Sequence, residues 1–476
     1  MDGLQVLSAL CLITCLLQRT SPAPSTSSST PGLTHGIVID AGSSGSRVRV
    51  YSVQYEDSLP RVEEIGNLRV KPGLAEFATR LTEVAEYLNP LLLRAQELVP
   101  RAQWPTTPIY LMSTAGLRLV DAAQSSQLFT EVRGIFSNKT ACPFLFQHRD
   151  QARVLSGEEE GVYTWITVNY LREYFGKGRP YSDTHGILEM GGASTQIAFI
   201  PTTPILANKF YVSMAGEKYP LYAHSYLYFG ATYMDIRVKA FLAAESPGST
   251  ELEDPCMLTG DVKHQPAPNR TDTDSLQFIG TGNSTACEAI LETFQRQTPT
   301  EFCYPKPCAI GDIYQPVLPE HMLFTAVSAY VYAPAALGAL EDDRTLTPRI
   351  LREKALLYIQ KNLTEAIEQI GESRRQYASA YAMMGLYLPM LLQRSYGFHS
   401  DSTQVIATND VDGKGIAWTL GALLYELESG MLTSSRPTGN PDPCNASGRT
   451  SHHLSALYTA LMVVLQGICL QFLVRL

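Results

Sequence analysis

Two runs of small residues, each headed by a carboxylate, are the parts of this 476-residue chain best suited to chemistry. "DAGSSGS" (40–46) sets Asp40 ahead of Gly42, Ser43, Ser44, Gly45 and Ser46; "EMGGAS" (189–194) sets Glu189 ahead of Gly191, Gly192, Ala193 and Ser194. Backbone N–H groups and hydroxyls in such turns can surround phosphate oxygens without a bulky side chain intervening, so phosphate is the natural ligand. The Gly-Lys-[Ser/Thr] of a Walker loop is absent, and the strand-forming "RVRVYSV" follows the first run where a dinucleotide fingerprint would open a helix. Asp40 and Glu189, one at each strand end, suit a hydrated Mg²⁺ or Ca²⁺ held mainly through waters and phosphate oxygens. Hydrolysis also needs a group to take a proton from water, and Glu158, Glu159 and Glu160 are the candidates, although an acidic triplet equally reads as an ordinary helix start. Ser194 and Gln196 stand beside the second run, where they orient a water or serve only as turn and strand residues.

The elements that must position these groups repeat. "GIVID", the small run and "RVRVYSV" read as strand, turn, strand; "HGILEMGGASTQIAFI" (185–200) repeats the design about 150 residues on, with Glu189 where Asp40 stood. That pattern predicts a duplicated hairpin, with 41–46 forming a turn longer than two residues as a phosphate cradle. Apolar spacing predicts a helix within 74–99, "TPIYLMST" a buried strand entering a turn at "AGLR", and helices over 122–135, 157–171, 346–395 and 414–430. Residues 247–320, rich in Pro, Thr, Asp and Cys, read as an ordered, disulfide-tied excursion.

Composition bounds the partners and the compartment. With a formal charge of −9 and no basic run, the chain is not built for nucleic acid, and its ligand is small. Residues 1–23 carry an apolar stretch of signal-peptide length, with an uncleaved N-terminal anchor as the other reading. Residues 454–474 are apolar over a membrane-spanning length, fitting either a transmembrane helix or a lipid-anchor signal. Sequons at Asn138, Asn269, Asn283, Asn362 and Asn445 favour the secretory route and an extracellular or lumenal site. Six cysteines remain between the apolar ends; the expected pairs are Cys303–Cys308, Cys256–Cys287 and, as what is left, Cys142–Cys444.

"DAGSSGSR" (40–47), "STAGLR" (113–118), "SGEEEGVYTWITVNYL" (156–171), "EMGGASTQI" (189–197) and "GIAWTLGALLY" (415–425), with the segments 222–230 and 314–332, resemble the nucleoside triphosphate diphosphohydrolases, or apyrases, of the cell-surface type. The resemblance runs from about 35 to 430 and implies an α/β fold of two actin-like, ribonuclease-H-like lobes with nucleotide in the cleft between them. Lobe I would be 35–156 plus 409–438, and lobe II 157–408 with the insertion 247–320. It further implies hydrolysis of ATP and ADP and other nucleotides with Ca²⁺ or Mg²⁺. By the same resemblance Glu160 is the catalytic base, Ser194 and Gln196 position the water, and Asp40 and Glu189 hold the metal through water. Ser43, Ser44, Gly45, Ser46, Thr114, Gly191, Gly192 and Ala193 bind phosphate, and Tyr330 stacks on the base. The chain departs from the family pattern at Glu189, where an aspartate is usual, and in having no cysteine between 375 and 400. Glu189 keeps open the alternative of a nucleotide-binding surface protein with weak or no turnover. A sugar kinase shares the lobes, but the leader and sequons count against it.

Overall fold

The computed structural model describes residues 34–429 apart from 56–58, 267–274 and 296–302. The expectations for 1–23, 430–438, 454–474, Asn269, Asn445 and Cys444 lie outside the described residues. Among the described residues no helix is long and apolar enough to cross a membrane.

The first sheet grows from the first small-residue hairpin. Strand β1 (His35–Gly42) carries Ile37, Val38 and Ile39 into full burial and pairs antiparallel with β2 (Gly45–Gln54), which pairs antiparallel with β3 (Arg61–Val70). On the other side of β1, β4 (Ile109–Ser113) and β5 (Ala152–Val154) run parallel, giving the order β3-β2-β1-β4-β5. Helices α1 (Val84–Leu98) and α2 (Ala122–Ser137) cover one face, their Leu88, Leu91, Leu128 and Val132 joining Ile37, Ile39, Val48 and Val50 in one core. Asp121 starts α2 by accepting from the Ala123 and Gln124 amides, which satisfies two N–H groups that the helix itself leaves free.

The second sheet repeats the plan. Helix α3 (Gly157–Leu171) leads into β6 (Gly186–Met190), β7 (Ser194–Phe199), β8 (Lys209–Met214) and β9 (Glu217–Leu227). After α4 (Ala231–Glu245) comes the excursion, a small sheet of β10 (Glu251–Asp254), β11 (Val262–Pro266) and β12 (Ser275–Gly280) followed by α5 (Ser284–Gln295). Then β13 (Phe324–Ser328), helices α6 (Ala329–Leu337), α7 (Pro348–Ile359), α8 (Leu363–Ile370) and α9 (Ala378–Met390), and β14 (Val405–Ala407) complete it. The order β14-β13-β6-β7-β9-β8 again places antiparallel strands on one side of the carboxylate strand and parallel strands on the other. The fold is therefore α/β with two lobes of one design, as the repeated hairpin predicts.

Helix α10 (Trp418–Glu428) returns the chain to the first sheet, where Leu423 sits so close to Gly36 that a Cβ there would lie 2.7 Å from its Cδ1. The same helix crosses α3 at backbone contact: a Cβ on Gly421 would fall 1.9 Å from the Tyr163 carbonyl, and Thr167 Oγ1 accepts from the Gly421 amide at 2.9 Å. Together α3 and α10 tie the two sheets together beneath the cleft.

Two of the expected disulfides are present, Cys256–Cys287 and Cys303–Cys308, and both belong to the excursion. The third expectation is corrected. Cys142 is a free thiol, wholly buried in the first core, where it packs as a small apolar side chain.

Candidate active site

The hairpin tips are tighter than the sequence suggests. Ladder pairing continues through Ala41–Ser46 and Gly42–Gly45, so the first turn is only Ser43 and Ser44; in the second the Gly191 amide donates to the Ser194 carbonyl, leaving Gly192 and Ala193 as its tip. The expected long cradle is a pair of short turns because both strands keep their hydrogen bonds to the end. Small residues are needed for a different reason, which is close approach. A Cβ on Gly192 would lie 3.0 Å from Ser43 Oγ of the facing tip, and one on Gly116 would lie 2.8 Å from the Ser43 Cα. Equivalent register places Asp40 opposite Arg47 and Glu189 opposite Gln196.

Between the tips lies a cavity of about 400 Å³ lined by Asp40, Glu160 and Glu189 and by Ser43, Ser44, Gly45, Thr114, Gly191 and Gly192. The acidic triplet at the start of α3 divides its labour. Glu159 closes a capping box with Ser156 and pairs with Arg153, and Glu158 faces His224 at 3.5 Å. Glu160 alone turns into the cleft, 7% exposed, and its Oε2 accepts from Arg118 Nη2 at 2.5 Å and from Gln196 Nε2 at 3.1 Å. Gln196 Nε2 is also within 2.7 Å of Ser194 Oγ and 3.1 Å of Ser225 Oγ, so the amide is fixed in plane behind the base. Its Oε1 is buried and accepts no hydrogen bond, a ready acceptor beside Glu160.

Burial raises the proton affinity of all three carboxylates, and for the two glutamates a neighbouring carboxylate adds to it. Burial, then the neighbouring Glu189 charge, pushes Glu160 well above the ordinary carboxylate range against the pull of Arg118. Glu189 is raised too, chiefly by burial and also by Asp40, against the hydrogen bond it accepts from Thr164. Burial takes Asp40 from 3.8 up to about 6, opposed by Arg49, Arg47 and Arg69. Asp40 Oδ1 is buried with no hydrogen-bond partner. Asp40 and Glu189 line the same cavity, and an orphaned carboxylate oxygen there fits a divalent cation. Among the described residues no cluster of three or more ligating side chains could grip a bare ion, so the donor set suits one held through waters and phosphate oxygens.

Not every expected site residue is there. Ser46 points the other way along its strand, fully buried, and accepts from Tyr87 Oη at 2.8 Å. Ala193 is buried, and Gly230 lies against its amide so closely that a Cβ there would be 2.5 Å away. Tyr330 is corrected outright: it is 0% exposed within the second core, its hydroxyl 3.4 Å from Thr195 Oγ1, so no face of its ring is open to a base. Tyr332, two positions and about 200° further round α6, is 59% exposed and lines the cleft.

A model of the GDA1/CD39 (nucleoside phosphatase) family matches residues 29–437. The chain belongs to that family. Among its relatives, bovine (Bos taurus) ectonucleoside triphosphate diphosphohydrolase 1 is 30% identical over 91% of this chain and 88% of its own length. The mouse (Mus musculus) ectonucleoside triphosphate diphosphohydrolase 8 is 30% identical over 85% and 84%, and the Schizosaccharomyces pombe guanosine-diphosphatase 28% over 82% and 73%. The fold is shared with a Neospora caninum nucleoside triphosphate hydrolase structure at a TM-score of 0.59 and 17% identity, over 83% of this chain and 92% of that one.

Several residues of this GDA1/CD39 family cleft escaped the sequence reading. Arg118 sits on a single helical turn, Ala115–Arg118, where "AGLR" reads as a plain turn. Arg47 and Arg49 share one face of β2, Arg69 of β3 lies opposite Arg47, and all three line the cleft. Their signal was present as the alternation "SRVRV", which places charge on the face opposite the buried Val48 and Val50. Trp418 and Thr419 at the start of α10 also line it.

Proposed function

We propose that this chain hydrolyses the terminal phosphates of nucleoside tri- and diphosphates, taking ATP to ADP to AMP, and that Glu160 is the base that activates the attacking water. The observation that carries the reading is the convergence of Asp40, Glu160 and Glu189 on one cavity between two glycine-serine tips. Membership of the GDA1/CD39 family and the names of its relatives support it. In this reading the tip amides and the hydroxyls of Ser43, Ser44 and Thr114 hold phosphate oxygens, and Arg47, Arg49 and Arg69 add positive charge along one wall. Glu160, its Oε2 held by Arg118 and by Gln196 on its Ser194 bond, accepts the proton of a water aligned with the terminal phosphorus. Proton affinity raised by burial suits a base working near neutral pH. Asp40 and Glu189 would hold Mg²⁺ or Ca²⁺ through water, and the bound ion would neutralise charge on the phosphate oxygens. Tyr332 takes the role expected of Tyr330, an aromatic platform that tolerates any base.

The same reading divides the chain into lobe I (35–156 plus 409–438) and lobe II (157–408), and places the site outside the cell or in the secretory lumen. Two disulfides support an oxidising compartment, and the sequon asparagines 138, 283 and 362 are exposed. Attachment to a membrane would fall to 454–474 and to the N-terminal segment. The test is release of inorganic phosphate by the purified full chain from ATP and, separately, from ADP, with Mg²⁺, with Ca²⁺ and with chelator. Metal-dependent release from both supports the reading, and tight binding of nucleotide with no release would support a receptor instead.

A further inference from the structure

Glu189 raises a geometric question, because a glutamate is one methylene longer than an aspartate and a carboxylate displaced by about 1 Å can cost on the order of a hundredfold in rate. The structure shows what restrains it. Thr164 lies on α3 one turn beyond Glu160, so the two side chains share the face of the helix that meets the cleft. Its hydroxyl donates to Glu189 Oε2, and the same Oγ1 lies 2.9 Å from the Glu160 carbonyl oxygen. A hydroxyl has one hydrogen to give, and an ionised carboxylate is the stronger acceptor. Thr164 is itself almost fully buried, so little water competes for that bond.

Resting on the proposed hydrolysis, we infer that Thr164 is a positioning residue that lets a glutamate serve where the cleft needs a carboxylate: it draws Glu189 back toward α3 and fixes the oxygen left to face Asp40. The extra methylene and the hydroxyl are then one device. Glutamate reaches Thr164; an aspartate at 189 would withdraw by more than about 1 Å, beyond hydrogen-bond reach, and would make Thr164 irrelevant to the cation. The bond also links the helix carrying Glu160 to the strand carrying Glu189, so the water-activating and cation-holding groups move together.

The test is a double-mutant cycle on the full chain, Thr164→Val with Glu189→Asp, read by calorimetric titration of Mg²⁺ into protein saturated with a non-hydrolysable ATP analogue. With Glu189 present, Thr164→Val is expected to weaken Mg²⁺ binding roughly tenfold and Thr164→Ser to restore it, in line with other partners of metal-holding carboxylates. With Glu189→Asp present, Thr164→Val is expected to change the affinity less than about twofold, since the residues no longer meet. Valine matches threonine in shape, and thermal melting of each variant identifies any that fails to fold; the serine variant then carries the comparison alone, with Thr164→Ala as its partner. An equal loss in both backgrounds, or none in either, overturns the inference. Glu160→Gln, run alongside, separates the two claims: Mg²⁺ uptake by the wild type with hydrolysis lost in that variant, but no Thr164–Glu189 coupling, removes the positioning role and leaves the proposed function standing. A wild type that takes up neither Mg²⁺ nor Ca²⁺ in the presence of the analogue removes both.

Discussion

At the scale of single residues, the two tyrosines of α6 separate core from site. Tyr332→Ala is expected to raise KM for ATP about tenfold while kcat stays within a few fold, because a base–aromatic stack is worth about 1–3 kcal/mol in binding. Tyr330→Ala should instead cost about 3–5 kcal/mol of stability, as other large aromatic truncations in cores do, and Tyr330→Phe should leave KM unchanged. Steady-state kinetics and urea denaturation of the three variants check this. The pair also shows where sequence reading stops. Asp40, Glu189 and the glycines could be picked out by type and spacing, whereas those left Glu158, Glu159 and Glu160 as equal candidates and only the resemblance singled out Glu160. Choosing between aromatics two apart on a helix needs its rotation against the core, which tertiary packing fixes.

At the scale of elements, the duplicated hairpin was legible from strand patterning, and α3 begins and ends where its acidic start and apolar run place it. The short turns were not, because glycines and serines that permit a wide loop equally permit strands to pair up to a two-residue tip. Arg118 was hidden likewise, since one helical turn has too few residues to show a period. The crossing of α3 and α10 is the contact on which the cleft rests. Adding a methyl at Gly421 would drive it into the Tyr163 carbonyl, so Gly421→Ala should destabilise the chain by at least about 1–3 kcal/mol, and kcat should fall with it as α3 shifts Glu160. Denaturant midpoints and phosphate release measured on the same preparation would show both effects. A variant of wild-type stability would mean that the helices part without cost.

At the scale of the whole molecule, two lobes confront each other with three carboxylates, and that has a pH signature. The folded state binds protons at Asp40, Glu160 and Glu189 more tightly than the unfolded chain does. Stability from these groups is therefore full below the unfolded carboxylate values and is lost as pH rises through the folded ones. In chelator the stability these groups contribute should fall from about pH 4 through pH 6 and beyond, by on the order of 2 kcal/mol for Asp40 alone after allowance for its place at the cleft wall, read as the change in melting temperature relative to Asp40→Asn. A divalent cation should reverse the loss, and its stabilising effect should grow over the same range, because it favours the ionised carboxylates. Melting curves at several pH values with and without Mg²⁺ read both. The measurement closest to the central claim compares wild type with Glu160→Gln, following phosphate release from ATP and nucleotide binding in the same samples. With Glu160 as the base, release should drop at least about a hundredfold while binding of ATP stays within a few fold. Release by Glu160→Gln at close to the wild-type rate would contradict the account.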